Sequence, residues 1–251
     1  GLGDVYKRQK MYSAGFVEEN ELFWEGIENA WEKKSIELWR KMTKDASIII
    51  DVGANTGLYS LVAKAENPLA QVIAFEPLEE VMAYLKKNNA LNNFDIQYHT
   101  KALSNYNGKA KVYLKKGEDF AYSVTVNKSL LSKDTPQREE EIDCLRLDSF
   151  IEKKKIPQID LMKIDVETHE AEVLEGMGKY LDEFQPDMII EIWDEEVAKK
   201  LNIIFSNLDY LYFDIDDKNN KIIRREEIVP SMYWNYLICK RKTAEKLGLI
   251  E

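Results

Sequence analysis

The sequence predicts an α/β fold built on a mostly parallel central sheet. Three observations support this: short apolar runs alternate with helical stretches from Ser47 onward, a loop with two glycines follows the first run, and an acid ends the next run. Strands that alternate with helices imply crossover connections and a sheet with both faces covered. A chain of 251 residues suits one large domain of this kind or two small ones.

The composition is that of an ordinary globular protein with an acidic surface. Hydrophobic residues make up 45% and charged residues 32%, and the formal net charge is −10. That charge disfavours nucleic acid and anionic membranes as partners, because both attract cationic surfaces. No apolar run approaches the roughly 18 residues of a membrane span. Two cysteines, Cys144 and Cys239, predict free thiols in a reducing compartment, so we expect a cytoplasmic protein.

Three parts of the chain are predicted. Residues 1–10 precede the first methionine without resembling a signal peptide, and we interpret them as a cloning or sequence-assembly remnant. Residues 11–46 carry apolar side chains at near-helical spacing and predict one or two amphipathic helices. Residues 47–251 predict the α/β domain, and the alternation of apolar and polar residues near 105–146 predicts a small β-rich insertion.

The elements follow from apolar spacing. Core strands are predicted at Ile48–Val52, Gln71–Phe75, Phe94–Tyr98, Ile159–Asp165 and Met188–Ile192. Helices are predicted at Leu58–Ala65, Val81–Leu91, Ala171–Met177 and Glu195–Phe205. Insertion strands are predicted at Ala110–Leu114, Tyr122–Val126 and Glu141–Leu145. Two last strands, Tyr210–Ile215 and Tyr233–Cys239, are expected to form an antiparallel hairpin through the polar turn 216–220.

The most informative segment is the loop Asp51–Gly57. Glycines between a strand and a helix let a ligand approach the backbone, because no Cβ stands in the way. A dinucleotide fingerprint, G-x-G-x-x-G, fails because Asn55 and Leu58 occupy its second and third glycine positions. A P-loop fails because no Gly-Lys-Ser/Thr follows. The spacing matches the acidic-x-G-x-x-x-G loop that binds S-adenosylmethionine (SAM), with Asp51 near the cofactor's amino group.

A second acid strengthens this interpretation. Glu76 lies 19 residues beyond Gly57 and ends the next strand, where a carboxylate can accept both ribose hydroxyls. Pro77 then turns the chain into the following helix. A tight turn with a capping acid is the structural alternative for Asp51 and Gly57 taken alone. The added acid at the next strand end favours a cofactor site.

Four motifs in this order resemble the signature of the FkbM family of SAM-dependent methyltransferases, which have a Rossmann-like class I fold. They are Asp51–Gly57, Phe75–Pro77, Lys101–Ser104 and Lys163–Glu167. The resemblance implies SAM as cofactor and O-methylation of a hydroxyl on a small molecule, sugar or glycan (EC 2.1.1). It also implies roles for individual residues. The methionine part of SAM would contact Asp51, Gly53, Asn55 and Gly57. The ribose would be held by Glu76, and the adenine would lie near Ala102, Leu103 and Ser104. Core packing is the alternative for Ala102 and Leu103.

The acceptor chemistry is expected at the end of the strand Ile159–Asp165, because ligands gather at the carboxyl ends of parallel strands. We hypothesise that Asp165 positions the acceptor and that Glu167 or His169 takes its proton. The structural alternative is that Glu167 and Glu170 favour a helix N-terminus capped by Thr168. Thr168 replaces the glycine usual in the family, and a β-branched residue makes a left-handed φ unexpected there.

Lys163, Glu191 and Trp193 are tentative substrate residues. Lys163 shares a strand face with Asp165 and needs a carboxylate, for which Asp165, Asp51 and Glu191 are candidates. A magnesium site formed by Asp165, Glu167, His169 and Glu191 is the alternative, but the family resemblance requires no metal and we predict none. Aromatic residues that could stack on an acceptor are Trp24, Trp31, Trp193, Trp234 and Tyr236.

Two alternative functions remain open. A protein with this fold can bind SAM without catalysis, because the fold does not fix the function. A nucleotide-dependent oxidoreductase is disfavoured by Asn55 and Leu58, which break the dinucleotide fingerprint. The sequence predicts neither the acceptor's identity nor the oligomeric state.

Overall fold

The structure is a computed structural model that describes residues 2–4, 10–12, 32–115 and 137–251. The predicted strand Tyr122–Val126 and the predicted helical segment before Glu32, with Trp24 and Trp31, lie outside these residues. In chain order the strands are β1 (Leu2–Asp4), β2 (Lys10–Tyr12), β3 (Ile48–Val52), β4 (Gln71–Phe75), β5 (Gln97–His99), β6 (Ala102–Leu103), β7 (Gly108–Lys115), β8 (Gln137–Leu145), β9 (Leu161–Ile164), β10 (Asp187–Glu191), β11 (Tyr210–Asp216), β12 (Lys221–Arg225) and β13 (Asn235–Lys240). The helices are α1 (Lys33–Thr43), α2 (Leu58–Glu66), α3 (Glu79–Asn92), α4 (Leu147–Lys154), α5 (Glu170–Met177), α6 (Lys179–Phe184), α7 (Glu195–Phe205) and α8 (Arg241–Lys246).

The central sheet confirms the predicted fold class. Its strand order is β12-β11-β13-β10-β9-β3-β4-β5, and the strands from β10 to β5 are parallel. From β3 the chain proceeds outward through β4 and β5, and it later returns to the other side of β3 through β9 and β10. The topological switch point therefore lies between β3 and β9, where open α/β sheets bind ligands at the carboxyl ends of the strands.

The antiparallel end of the sheet differs from the prediction in its connection. β11 and β13 pair antiparallel as expected, but the polar turn joins β11 to β12 instead of β13. The predicted direct hairpin is therefore wrong. β12 is an edge strand with the sequence KIIRR, and charged residues are typical of edge strands because they discourage further pairing. The same charges hid this strand from an analysis based on apolar runs.

Both faces of the sheet are covered by helices. Ile49 of β3 faces a core formed with α1, α2, α3 and α8, whereas Ile48 and Ile50 face a second core formed with α4 to α7. A strand buried on both faces needs apolar residues at successive positions, which accounts for the run Ile48–Ile50. No helix among the described residues has the length and apolar character needed to cross a bilayer. Cys144 and Cys239 are buried free thiols.

Two smaller β structures flank the domain. β6, β7 and β8 form the predicted β-rich insertion, which packs Val112 and Ile142 against Leu78 and Val81 beside α3. β1 and β2 form an antiparallel ribbon, and β2 contacts α3 through backbone hydrogen bonds to the side chains of Asn88 and Asn92. The origin of residues 1–10 as a remnant stays a prediction.

Gly53 determines how closely the loop after β3 approaches the end of β9. It has a φ of 75°, and a Cβ added to it would overlap the carbonyl oxygen of Asp165. The sequence attributed this glycine to the approach of a cofactor. In the structure, the space left by the missing Cβ is occupied by the chain itself, so Gly53 brings two site-forming segments together.

Replacing Gly53 with alanine tests this contact, with Gly248→Ala as the matched control. Gly248 also has a positive φ, 71°, but nothing lies within 4 Å of a Cβ added there. We expect Gly248→Ala to lower the free energy of unfolding by about 1 kcal/mol and Gly53→Ala by about 3 kcal/mol or more. Urea denaturation measures both. Equal losses in the two variants would contradict a steric role for the Gly53 contact.

Candidate active site

The structure brings most of the predicted site residues to one edge of the sheet. The parallel strands β3, β4, β9 and β10 all end there. The segments that follow them carry the loop Gly53–Gly57, the acid Glu76, the turn 165–169 and Trp193, and Glu191 is the last residue of β10. Residues 102–104 approach from the separate sheet of β6, β7 and β8.

The glycine loop is held in place by β4. The amides of Gly53 and Ala54 both donate to the carbonyl of Phe75, each at 3.0 Å. Asn55 has a φ of 48° and Gly57 a φ of 97°, and Gly57 is the N-cap of α2. Left-handed residues at alternate positions, together with the bonds to Phe75, make the loop after β3 tight.

Glu76 connects this loop to the turn before α3. It is buried, and its two carboxylate oxygens accept from the amides of Asn55 (3.2 Å) and Leu78 (3.0 Å). Burial raises the pKa of Glu76 to about 7, although both hydrogen bonds oppose the shift. A carboxylate oxygen accepts more than one hydrogen bond, so Glu76 keeps acceptor capacity for further hydroxyl groups. Pro77 follows it, and α3 begins at Glu79, two residues before the predicted start at Val81.

Asp51 lies beneath the loop inside β3. It is 1% exposed, and one carboxylate oxygen accepts a hydrogen bond of 2.6 Å from the hydroxyl of Ser60. Lys163 is its register partner on β9. Burial raises the pKa of Asp51 to about 6, while Ser60 and Lys163 oppose this shift. The side chain therefore belongs to the interior under the loop, and its contact with a cofactor amino group stays a prediction.

Lys163 is the buried cation of the site. Its ammonium donates to Asp165 at 2.9 Å and to the amide oxygen of Asn235 at 3.2 Å. The structure thus selects Asp165 from the three predicted partners and confirms that both residues share a strand face. Burial alone would lower the pKa of Lys163, but the carboxylates of Asp165, Glu32 and Glu191 raise it above its usual range.

The turn after β9 has an unexpected backbone conformation. Glu167 and Thr168 have φ values of 54° and 73°, so the expectation that Thr168 avoids a left-handed φ is wrong. Glu170 supports the turn: its buried carboxylate accepts from the amide of Val166 at 3.2 Å. Thr168 is not the N-cap of the following helix either, because α5 begins at Glu170 and His169 occupies the N-cap position. Burial raises the pKa of Glu170 to about 8, despite its backbone hydrogen bonds.

Glu167 and Glu191 share the electrostatic environment of Asp165. Burial, with Asp165 as the next contribution, raises the pKa of the partly buried Glu167 to about 7. The pKa of Glu191 is also raised well above its usual range by burial and by the neighbouring carboxylates, although Lys163 opposes the shift. The indole of Trp193 donates to Glu191 at 3.1 Å, which fixes this carboxylate beside the end of β10.

His169 contacts different groups. Its Nε2 lies 3.0 Å from the hydroxyl of Ser104, and its Nδ1 lies 3.6 Å from Glu172. Burial lowers the pKa of His169, with Glu172 opposing the shift and Lys200 adding to it. The three predicted catalytic residues therefore lie in two environments. Asp165 and Glu167 lie together, whereas His169 contacts Ser104 next to the insertion sheet.

The residues predicted near the adenine are mostly internal. Leu103 is part of the core, Ala102 packs on the cluster around Leu78, and the hydroxyl of buried Ser104 contacts His169. Adenine contacts by these residues stay a prediction. Tyr236, considered above as an acceptor platform, is fully buried in the core, whereas Trp234 is 39% exposed and has a φ of 75°.

Sequence reasoning missed four residues that the structure places at this edge. They are Glu32, Tyr59, Ser60 and Asn235. Tyr59 and Ser60 follow Gly57 by two and three residues, and this closeness to the loop in sequence could have identified them. Glu32 and Asn235 come from distant elements, so only the folded chain reveals them.

No group of three or more His, Cys, Asp or Glu side chains within the described ranges could hold a metal ion.

Thr168→Gly tests the strained turn. A left-handed φ costs a residue with a Cβ roughly 1–2 kcal/mol, while glycine loses about 0.4–1 kcal/mol through the entropy of the unfolded chain. We expect a net gain of up to about 1 kcal/mol in the free energy of unfolding, measured by urea denaturation. Thr168→Ala keeps the Cβ and is the control, for which we expect no gain. A gain in the alanine variant that matched the glycine variant would show that φ is not the cause.

Comparisons with known proteins identify related methyltransferases. A sequence model described as the methyltransferase FkbM domain matches residues 51–212. The 31-O-demethyl-FK506 methyltransferase FkbM of Streptomyces tacrolimicus is 28% identical over 157 residues, which cover 53% of this chain and 60% of that protein. The hexuronic acid methyltransferase AglP of Haloferax volcanii is 25% identical over 172 residues, covering 68% of this chain and 66% of that protein.

A solved structure has a fold similar to that of this chain. The crystal structure of methyltransferase FkbM from Methylobacillus flagellatus KT aligns with a TM-score of 0.50 and 16% identity, over 77% of this chain and 44% of that chain. This chain spans less than two thirds of each of these three proteins. The family match covers more than half of this chain and contains the glycine loop, Glu76 and the Asp165 turn. The chain therefore belongs to the FkbM family of SAM-dependent methyltransferases.

Proposed function

We propose that the protein transfers a methyl group from SAM to a hydroxyl group of a sugar or another small molecule. The observation that carries this proposal is the position of Glu167, a partly buried carboxylate beside Asp165 at the edge that also carries the glycine loop and Glu76. The names of two relatives support the acceptor class, since one names an O-demethyl compound and the other a hexuronic acid.

The residues at the edge fit the cofactor. Glu76 has acceptor capacity left for ribose hydroxyls, and the left-handed residues Asn55 and Gly57 fold the loop backbone above β3. Bound SAM supplies a methyl group on a positively charged sulfur, which is activated for in-line displacement. The task left to the protein is to align the acceptor oxygen and to receive its proton.

Two carboxylates divide this task in our proposal. Asp165 is oriented by the ammonium of Lys163 and accepts a hydrogen bond from the acceptor hydroxyl, which places the oxygen. Glu167 takes the proton of the acceptor hydroxyl. A pKa of about 7 suits this role, because a general base works best when its pKa lies near the ambient pH. Lys163 itself is buried and acts through Asp165 rather than on the acceptor.

Glu167 is a better general base than His169. Both ring nitrogens of His169 face groups outside the Asp165 environment, namely Ser104 and Glu172. The raised pKa of Glu167, by contrast, arises from burial and from the charge of Asp165. Glu191 and Trp193 flank these carboxylates at the end of β10, and we propose that they line the acceptor pocket.

The pH dependence of methyl transfer distinguishes the two bases. Because the pKa of Glu167 is raised to about 7, its basic form accumulates as the pH rises through 7, and kcat is expected to rise and then level off. Glu167→Gln should lower kcat by about 10²- to 10⁴-fold and remove this rise. His169→Gln should keep it. A midpoint below 6.5 that disappears in His169→Gln would assign the proton to the histidine instead.

The proposed function is tested with methyl-labelled SAM and a panel of hexuronic acids, glycans and hydroxylated small molecules. We expect label on an acceptor oxygen, and we expect Asp165→Asn to lower kcat at least about tenfold, as loss of a positioning hydrogen bond would. Asp209→Asn, at an exposed position outside the site, is the control. Binding of SAM without turnover on any acceptor would favour the non-catalytic alternative, and binding of NADH without SAM would favour the oxidoreductase. Label on nitrogen alone would contradict O-methylation.

A further inference from the structure

The loop between β12 and β13 reaches the carboxyl edge of the sheet. The amide of Ser231 donates to the carbonyl of Ile192 at 2.8 Å, and the amide of Ile192 donates to the carbonyl of Trp234 at 2.7 Å. Ile192 directly follows β10 and precedes Trp193, which is proposed above to line the acceptor pocket. Segment 231–234 therefore borders the candidate pocket at the end of β10.

This segment is fixed in place although it exposes apolar side chains. The hydroxyl of Ser231 donates to the buried carboxylate of Asp214 at 2.6 Å and accepts from the amide of Tyr233 at 2.9 Å. Met232 is nevertheless 86% exposed, and Trp234 is exposed as well. Two large apolar side chains on an anchored segment favour a binding surface, because packing a ligand on them removes apolar area from water.

Trp234 also has a strained backbone. Its φ of 75° is left-handed, and a bulky residue rarely adopts this conformation. Contacts on both sides hold it there: its carbonyl accepts from Ile192, and the side-chain oxygen of the next residue, Asn235, accepts from the ammonium of Lys163 at 3.2 Å. Strain that surrounding contacts maintain in this way is concentrated at ligand-binding positions.

The charges that act most strongly on Glu191 are three carboxylates and one ammonium group. Burial raises the pKa of Glu191, and the carboxylates of Asp165, Glu167 and Glu170 raise it further. The ammonium of Lys163 opposes the shift, but it is already bound to Asp165 at 2.9 Å. A second anion brought to this position would meet net negative charge, and like charges brought together oppose binding.

We propose that this pocket selects an uncharged acceptor that carries an aromatic or apolar group beside its reacting hydroxyl. The inference rests on the proposed function and names the class of its acceptor. The apolar group packs on Met232 and Trp234, and the carboxylates at the ends of β9 and β10 exclude an acceptor with an anionic group. Segment 231–234 lies outside residues 51–212, the range that the family match covers. The selectivity therefore does not follow from the family motifs, and it would separate this chain from the relative named for a hexuronic acid.

Four glycosides test the charge and the apolar character of the acceptor separately. Nitrophenyl β-glucoside and methyl β-glucoside are uncharged, and the two matching glucuronides carry a carboxylate. The transfer of label from methyl-labelled SAM gives kcat/KM for each. We expect kcat/KM for nitrophenyl glucoside to exceed that for its glucuronide about tenfold or more. We also expect it to exceed that for methyl glucoside about fivefold or more, because only the nitrophenyl group reaches an aromatic contact.

Variants assign each effect to its residues. Trp234→Ala and Met232→Ser are expected to raise KM for nitrophenyl glucoside about fivefold, with little change for methyl glucoside, whereas Trp234→Phe keeps a ring and most of the preference. Glu191→Gln keeps an oxygen for the indole of Trp193 and is expected to lower the discrimination against the glucuronides about threefold or more. Ile203→Ser, at another exposed apolar position, is the control. The Trp234 and Met232 variants should bind S-adenosylhomocysteine in calorimetry as the unaltered protein does.

Each result has a separate meaning. Preference of the unaltered protein for the uncharged nitrophenyl glycoside, lost selectively in Trp234→Ala, supports the inference. Equal or better use of the glucuronides overturns it, and so does an equal loss for both glucosides in Trp234→Ala. Label on another hydroxyl compound but on none of the four glycosides also overturns it and leaves the proposed function standing. If no hydroxyl compound takes label, the proposed function fails, and the inference fails with it.

Discussion

The site depends on the ammonium group of Lys163, buried in the middle of the sheet. A lysine in a central strand is tolerated only where carboxylates and hydrogen-bond acceptors surround it. Here the ammonium binds Asp165 on its own strand and Asn235 on β13, and Asn235 in turn donates to Glu32 at the start of α1. One positive charge therefore fixes the relative positions of three elements at the carboxyl edge. Replacing this lysine would leave the surrounding acids unpaired, which typically costs 3–5 kcal/mol.

Helix α5, which follows the turn after β9, contacts the insertion near Ser104 at both of its ends. At its N-terminus His169 contacts the Ser104 hydroxyl, and near its C-terminus Gly176 packs so closely that an added Cβ would overlap the Ser104 carbonyl oxygen. The side chain of Asn105 also donates to Glu175 at 2.7 Å. The insertion thus positions Glu167 without contributing a carboxylate of its own, which is how a supporting element orients a functional side chain.

The sequence predicted features that depend on local periodicity. The alternation along β9 placed Lys163 and Asp165 on one face, and the strand-loop-helix order pointed to the sheet edge at which the candidate site lies. It did not predict contacts between distant segments, such as the packing of Gly53 on Asp165. The left-handed Thr168 was unpredictable from propensity, because the buried carboxylate of Glu170 holds the turn through tertiary contacts. Edge strand β12 was missed because its charges mask the apolar pattern.

The protonation state of the carboxyl edge has a consequence for ligand binding. Burial raises the pKa of Glu32, Glu76 and Glu167 to about 7, so near neutral pH these groups are only partly ionised. A cationic ligand among them favours the ionised forms and lowers each pKa. Its binding must then expel protons into solution, and by linkage its affinity must increase as the pH rises toward 7 and above. For a cationic ligand at this edge, the pH of the surroundings is therefore expected to be a second determinant of occupancy.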